Sequence, residues 1–254
     1  MVKSDNPAGR LFGVLDAVGK YHNANAPMKS VWGYVLSDAD FHAPASTWRQ
    51  YGALLGLVEE GRIWVEQSEV ADQSIYLKPF DELARLFDNT NLEETCDTWK
   101  RKLDDTTMVA LQFCSVYFSA SKKEAEIDQQ TLEELQSDVD ELIKSAHSSG
   151  LPDNFRVMLI ESLEEIRHAI LEYRLRGAAG LRRAMESGLG GILRFSHEVP
   201  EDDSGNPEPI IERFLFLLNR LDSIASVALK LKQVAGPIAK FVFQDPQNNP
   251  EFHQ

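Results

Sequence analysis

From residue 91 onward, apolar side chains recur at alternating spacings of three and four residues. This spacing places them along one face of an α-helix, because side chains on one face of a strand recur every two residues instead. The pattern predicts long helices over about 92–117, 132–146, 155–173 and 210–235, the first of them continuous. The buried stripe of the first helix is predicted to include Thr106 and Phe113, and its second half, 108–118, is apolar nearly all round, as in a helix buried on several sides. Three or four such helices with short connections pack most simply as an antiparallel bundle. The chain is therefore predicted to be all-α.

The first 90 residues show shorter helical segments that are broken by proline and asparagine. We predict a small N-terminal helical subdomain over 1–90, a helical bundle over 91–243 and a tail over 244–254. Residues 62–78 fit two interpretations, either two strands around a loop or a helix that continues past Gly61. The helix is favoured, and the hairpin would give the subdomain a winged-helix-like shape.

Net charge is the clearest compositional signal, at -14 from 26 basic and 40 acidic side chains. Such a field repels nucleic acid and anionic lipid, although acidity also serves solubility alone. Nucleic acid is therefore not an expected partner. Cys96 and Cys114 form no C-x-x-C pair, which is typical of buried thiols in a reducing compartment. Neither a signal peptide nor an 18-residue apolar window is found, so we predict a cytoplasmic protein without a transmembrane span.

No motif for catalysis or for cofactor binding stands out. The glycine run Gly188–Gly191 lacks the Lys and Ser/Thr of a phosphate-binding loop and is predicted to end a helix. Glu165 and His168 form a single E-x-x-H, whereas di-iron bundles need two such motifs, and this one lies opposite the apolar stripe of its helix. No G-x-S-x-G or H-E-x-x-H sequence occurs. We expect no catalytic residue, no cofactor and no metal, and hence a non-enzymatic protein.

Charge is segregated between two neighbouring segments. Residues 122–144 hold eight acids against three lysines, and residues 167–183 hold five arginines against one glutamate. Guanidinium groups suit bidentate recognition of carboxylate or phosphate. The arginines would either pack against the acidic helix within the fold or bind an acidic protein partner or a phosphate-bearing ligand, with self-association left open. The predicted partner-binding residues are Arg167, Arg174, Arg176, Arg182 and Arg183.

The last helical stretch allows a different function. Residues 214–243 combine a strong apolar face with Lys230, Lys232 and Lys240, as interfacial membrane helices do. The same face would serve equally as the fourth wall of the bundle, which is the favoured interpretation. An adaptor or regulatory protein is the predicted function. A membrane-perturbing effector is the first alternative, and a nucleic-acid-binding regulator is the second.

Three runs of the sequence resemble a loosely defined set of bacterial helical proteins without assigned function. The runs are SVWGYVL at 30–36, YLKPF at 76–80 and IRHAILEYRLRGAAGLRRAMESGLGG at 166–191. The resemblance implies a helix near 62–70 and a bacterial source. It also suggests a setting in a small multi-protein system such as phage defence or toxin control. It implies no site and no substrate.

Overall fold

The computed structural model describes residues 5–36, 44–121, 126–194 and 209–224. This part of the chain contains ten α-helices and no β-sheet, which confirms the all-α prediction. The helices are α1 (Pro7–Gly19), α2 (Met28–Leu36), α3 (Pro44–Glu66), α4 (Gln73–Asp88), α5 (Cys96–Lys100), α6 (Asp105–Ser121), α7 (Gln129–His147), α8 (Asp153–Leu171), α9 (Tyr173–Arg194) and α10 (Pro209–Ile224).

The helices form two compact units. Unit 1 comprises Met1–Glu126 together with Glu172–Gly177, and unit 2 comprises Ile127–Leu171 together with Ala178–Gln254. These bounds differ from the predicted domains at 1–90 and 91–243, because α6 packs against α1 and α4 and so belongs with the N-terminal helices. The predicted tail at 244–254 lies outside the described residues.

The stripe over 92–117 is not one continuous helix, so that prediction is wrong. α5 ends at Lys100 and α6 begins at Asp105. The carboxylate of Asp104 accepts a hydrogen bond of 2.9 Å from the backbone N–H of Thr106, which satisfies a donor at the start of α6. The break changes the helical phase, and the buried residues of α6 are Thr107, Leu111, Cys114, Ser115 and Phe118.

Residues 62–78 are helical apart from a short break. α3 continues past Gly61 to Glu66, and α4 begins at Gln73 after Asp72 caps it by accepting from Ser74 N. The helix interpretation is thus confirmed on both sides of the break, and the described residues contain no hairpin here. A Cβ on Gly61 would come within 2.1 Å of Phe80, so glycine allows the two helices to approach closely.

The core of unit 1 is aromatic. Trp32 and Trp99 meet edge to face with ring centroids 5.3 Å apart. Backbone hydrogen bonds join the start of α2 to the start of α5. Met28 N donates to Glu94 O at 2.9 Å, and Cys96 N donates to Ala26 O at 2.8 Å. These bonds fix α2 and α5 side by side.

Unit 2 is a bundle of α7, α8, the part of α9 after Gly177, and α10. α7 and α8 are joined by a short loop and are therefore antiparallel. Gly191 of α9 lies against Met158 of α8, where a Cβ would meet the Met158 sulfur at 2.8 Å. The run Gly188–Gly191 therefore does not end a helix. It lies inside α9, and its small residues permit close packing.

Candidate interaction surface

Arg167 of the predicted arginine cluster is engaged within unit 2. Its guanidinium pairs with Glu164 at 2.7 Å on the same helix and lies 3.6 Å from Asp140 of the acidic helix α7. This arrangement matches the explanation in which the arginines pack against the acidic helix.

Arg174 and Arg176 are engaged within unit 1. Arg174 donates to the backbone oxygen of Val35 at 3.2 Å. Arg176 and Arg49 both pair with Glu172, whose side chain is completely buried. Burying a carboxylate is costly unless charge and hydrogen bonds compensate it, so these two arginines have a structural role.

Arg182 and Arg183 remain available for contacts outside the fold. Both are exposed on α9, and neither makes a hydrogen bond or an ion pair within the part of the chain that the structure describes. The predicted five-residue surface is thus reduced to this adjacent pair.

The acidic helix α7 is neutralised mainly by residues that sequence reasoning missed. Arg220 of α10 pairs with Glu134 at 2.7 Å and with Asp138 at 2.5 Å. Arg213, one heptad earlier, lies 3.5 Å from Glu141. Higher numbers on α10 meet lower numbers on α7, so the two helices are antiparallel. The signal was the spacing of seven between the two arginines, which puts them on one helix face.

A further surface feature of unit 1 is an exposed apolar face on α6, which we call the α6 stripe and define as Val109, Phe113 and Val116. These side chains are 49%, 69% and 65% exposed. Their spacings of four and three place them in one row on the helix. No residue from Thr106 to Ser121 is charged, and the first residue of α6, Asp105, carries the one charge of this helix, one turn before Val109. Contiguous exposed apolar surface of this kind marks interaction sites.

Sequence reasoning missed the α6 stripe because it assigned Phe113 to the buried face. A helix that is apolar nearly all round was expected to be buried on several sides. The structure instead buries the opposite face of α6 and leaves Phe113 exposed. The absence of charge over 106–121 was the available signal.

The two cysteines are buried, as predicted, and unpaired. Burial raises the pKa of the Cys114 thiol to about 12, so it is protonated at neutral pH and is a poor nucleophile there. The described residues contain no group of three His, Cys, Asp or Glu side chains arranged as metal ligands. His168 lies 3.9 Å from Glu164 on its own helix.

The apolar face of α10 is buried as far as the structure describes it. Ile211, Phe214, Leu218 and Leu221 all lie inside unit 2, as the fourth wall of the bundle requires. The remainder of the proposed amphipathic segment, with Lys230, Lys232 and Lys240, lies outside the described residues. None of the described helices is long and apolar enough to cross a bilayer.

Comparison with known proteins adds no further assignment. No family model, no curated protein and no solved structure matches the chain.

Proposed function

We propose that the chain is a non-enzymatic interaction protein, an adaptor or a regulator, that binds another protein through the α6 stripe. The resemblance of its sequence suggests a small bacterial system such as phage defence or toxin control as the setting. The observation that carries the proposal is the exposure of Val109, Phe113 and Val116 on a helix that carries no charge after its first residue.

The chemistry of the α6 stripe favours an apolar helix as the partner element. A row of anchors at i, i+4 and i+7 is the pattern with which helices engage one another. The net charge of the chain is strongly negative, at -14, so an acidic protein meets less repulsion at the uncharged segment 106–121 than at the acidic surface. Arg182 and Arg183 would supply a separate contact to acidic side chains.

Site-specific photo-crosslinking in the native cells tests this proposal. Phe113 is replaced by p-benzoylphenylalanine, and Val157 of α8, which is 53% exposed, is replaced in the same way as a matched control. We expect one discrete crosslinked protein from position 113 and none from position 157. Changing Val109 and Val116 to serine should abolish the crosslink while the circular dichroism spectrum stays helical.

The same experiment can also contradict the proposal. Equal crosslinking from both positions, or no discrete product from position 113, would contradict the proposal. Sedimentation of the purified chain shows whether the crosslinked protein is a second copy. The double change Arg182→Glu and Arg183→Glu should weaken the crosslink only if the arginine pair shares the interface.

A further inference from the structure

Unit 1 contains a cavity of about 340 Å³ that neither the interaction surface nor the packing of the core explains. Its volume lies within the range of small-molecule sites. The lining includes three aromatic rings and three polar side chains, namely Trp32, Trp48, Tyr51, Lys29, Ser30 and Thr47.

The aromatic rings form angled walls. Tyr51 meets Trp32 at a centroid distance of 5.6 Å and an interplanar angle of 62°, and it meets Trp48 at 6.4 Å and 84°. Trp48 is 54% exposed although it is a large apolar side chain, so much of its ring is free to contact a ligand. A flat aromatic molecule would find both ring faces and ring edges to pack against.

The polar groups of the lining are rich in hydrogen-bond donors. The Nε1–H of Trp32 is buried and has no acceptor among the described residues, whereas the corresponding group of Trp99 donates to Thr90. Lys29 contributes an ammonium group, and none of the described residues that line the cavity is acidic. Buried donors without acceptors are rare in proteins, which suggests that a ligand supplies the missing acceptor.

The position of Lys29 is fixed by its backbone. Its N–H donates to Leu92 O at 3.0 Å, and Leu92 also lines the cavity. Its ammonium group pairs with Glu93 at 2.8 Å, but both side chains are more than half exposed. Exposed ion pairs contribute little, so the ammonium group can turn to a ligand anion at small cost.

We propose that the cavity binds a small planar aromatic molecule that carries a carboxylate or a similar anionic group. The ring packs against Trp48 and Tyr51, the anion contacts Lys29, and an acceptor atom of the ligand receives the Trp32 N–H. This site is independent of the α6 stripe, because the two share no residue.

Nuclear magnetic resonance of the ¹⁵N-labelled full chain tests the site with indole-3-acetate as the probe. The chain has four tryptophans and therefore four indole N–H signals, which Trp→Phe variants assign. Saturable shifts are expected for Trp32 and Trp48, a smaller one for Trp99, which packs against Trp32, and none for Trp64. The matched ligands are tryptamine, which has the same ring with a cationic side chain, and indole, which is the ring without a side chain. The anion should bind about tenfold more tightly than either.

Variants separate the contributions of ring and charge. Lys29→Gln should remove the preference for the anion but keep binding of the ring, and Lys20→Gln, at an exposed lysine elsewhere in unit 1, should change neither. Trp48→Ala should weaken all three ligands. The proposal is overturned if no indole signal shifts at millimolar probe, if all four signals shift alike, or if tryptamine binds as tightly as the anion.

Discussion

Unit 1 and unit 2 are both helical, yet different contacts stabilise them. All four tryptophans and all six tyrosines of the chain lie in unit 1. Unit 1 also contains buried ionic groups, since Glu172 is completely buried and Arg10 is nearly so. The described core of unit 2 is mainly aliphatic, and its cross-helix ion pairs are partly exposed. Buried charge thus occurs in the unit whose core is filled by large rings, and partly exposed ion pairs occur in the unit whose core is mainly aliphatic.

Glu172→Ala should give the largest loss of stability and would test the role of buried charge in unit 1. It leaves Arg49 and Arg176 without their shared carboxylate, which costs about 3 kcal/mol for a buried pair. Tryptophan fluorescence during urea unfolding measures the loss, because every tryptophan lies in unit 1. Glu69→Ala, at an exposed loop position, is the control and should change stability by less than about 0.5 kcal/mol. Equal effects would show that the buried carboxylate has no special role.

Gly61→Ala should destabilise unit 1 by about 2 kcal/mol through overpacking against the buried ring of Phe80. Gly56→Ala on the same helix should do the opposite. No atom of the described residues lies within 4 Å of a Cβ there, so alanine stabilises the helix by about 1 kcal/mol. Thermal unfolding of the two variants should therefore move in opposite directions. A shift of both in the same direction would contradict the close approach of α3 and α4.

Gly191→Ala applies the same test to unit 2 and should cost about 1 kcal/mol. The cost is smaller than at Gly61 because the new Cβ would meet the flexible side chain of Met158. Gly190→Ala has open space around its Cβ and is the matched control, for which we expect a gain. Circular dichroism during urea unfolding compares the two variants.

Arg220→Ala should lower stability by less than about 1 kcal/mol, because its pairs with Glu134 and Asp138 are partly exposed. High salt should reduce the difference from the unchanged chain. A loss as large as that of Glu172→Ala would remove the distinction between the ion pairs of the two units.

Asp128 should give the smallest effect, and it should depend on pH. Hydrogen bonds from the backbone N–H and the hydroxyl of Thr131 lower the pKa of this carboxyl at the start of α7. A lowered pKa stabilises the fold above the unfolded value, near 3.8, and the contribution is lost as pH falls through the folded value. Asp128→Ser keeps a capping oxygen that does not titrate. Its melting temperature should fall less steeply than that of the unchanged chain below about pH 4.

The buried cysteines offer a comparison between sequence and structure. Their burial was predictable, because both lie in helical patterns without a metal or redox motif. Which face of α6 is buried was not predictable, because Thr106 and Phe113 belong to a row that continues the apolar stripe of α5. Only the break before Asp105, which Asp104 caps, turns Phe113 outward and Leu111 inward.

The spacing of apolar residues determined the helical class of this protein and most of the helices of unit 2. That signal is local, because a helix joins residues three and four apart whatever lies beyond them. Which arginines pair with distant parts of the chain was decided by the tertiary structure. Arg176 meets the buried Glu172 together with Arg49, 123 residues away from that carboxylate along the chain, whereas Arg182 and Arg183 meet no partner in the described residues. The composition of a segment records its charges, but the folded backbone decides which of them lie within bonding distance.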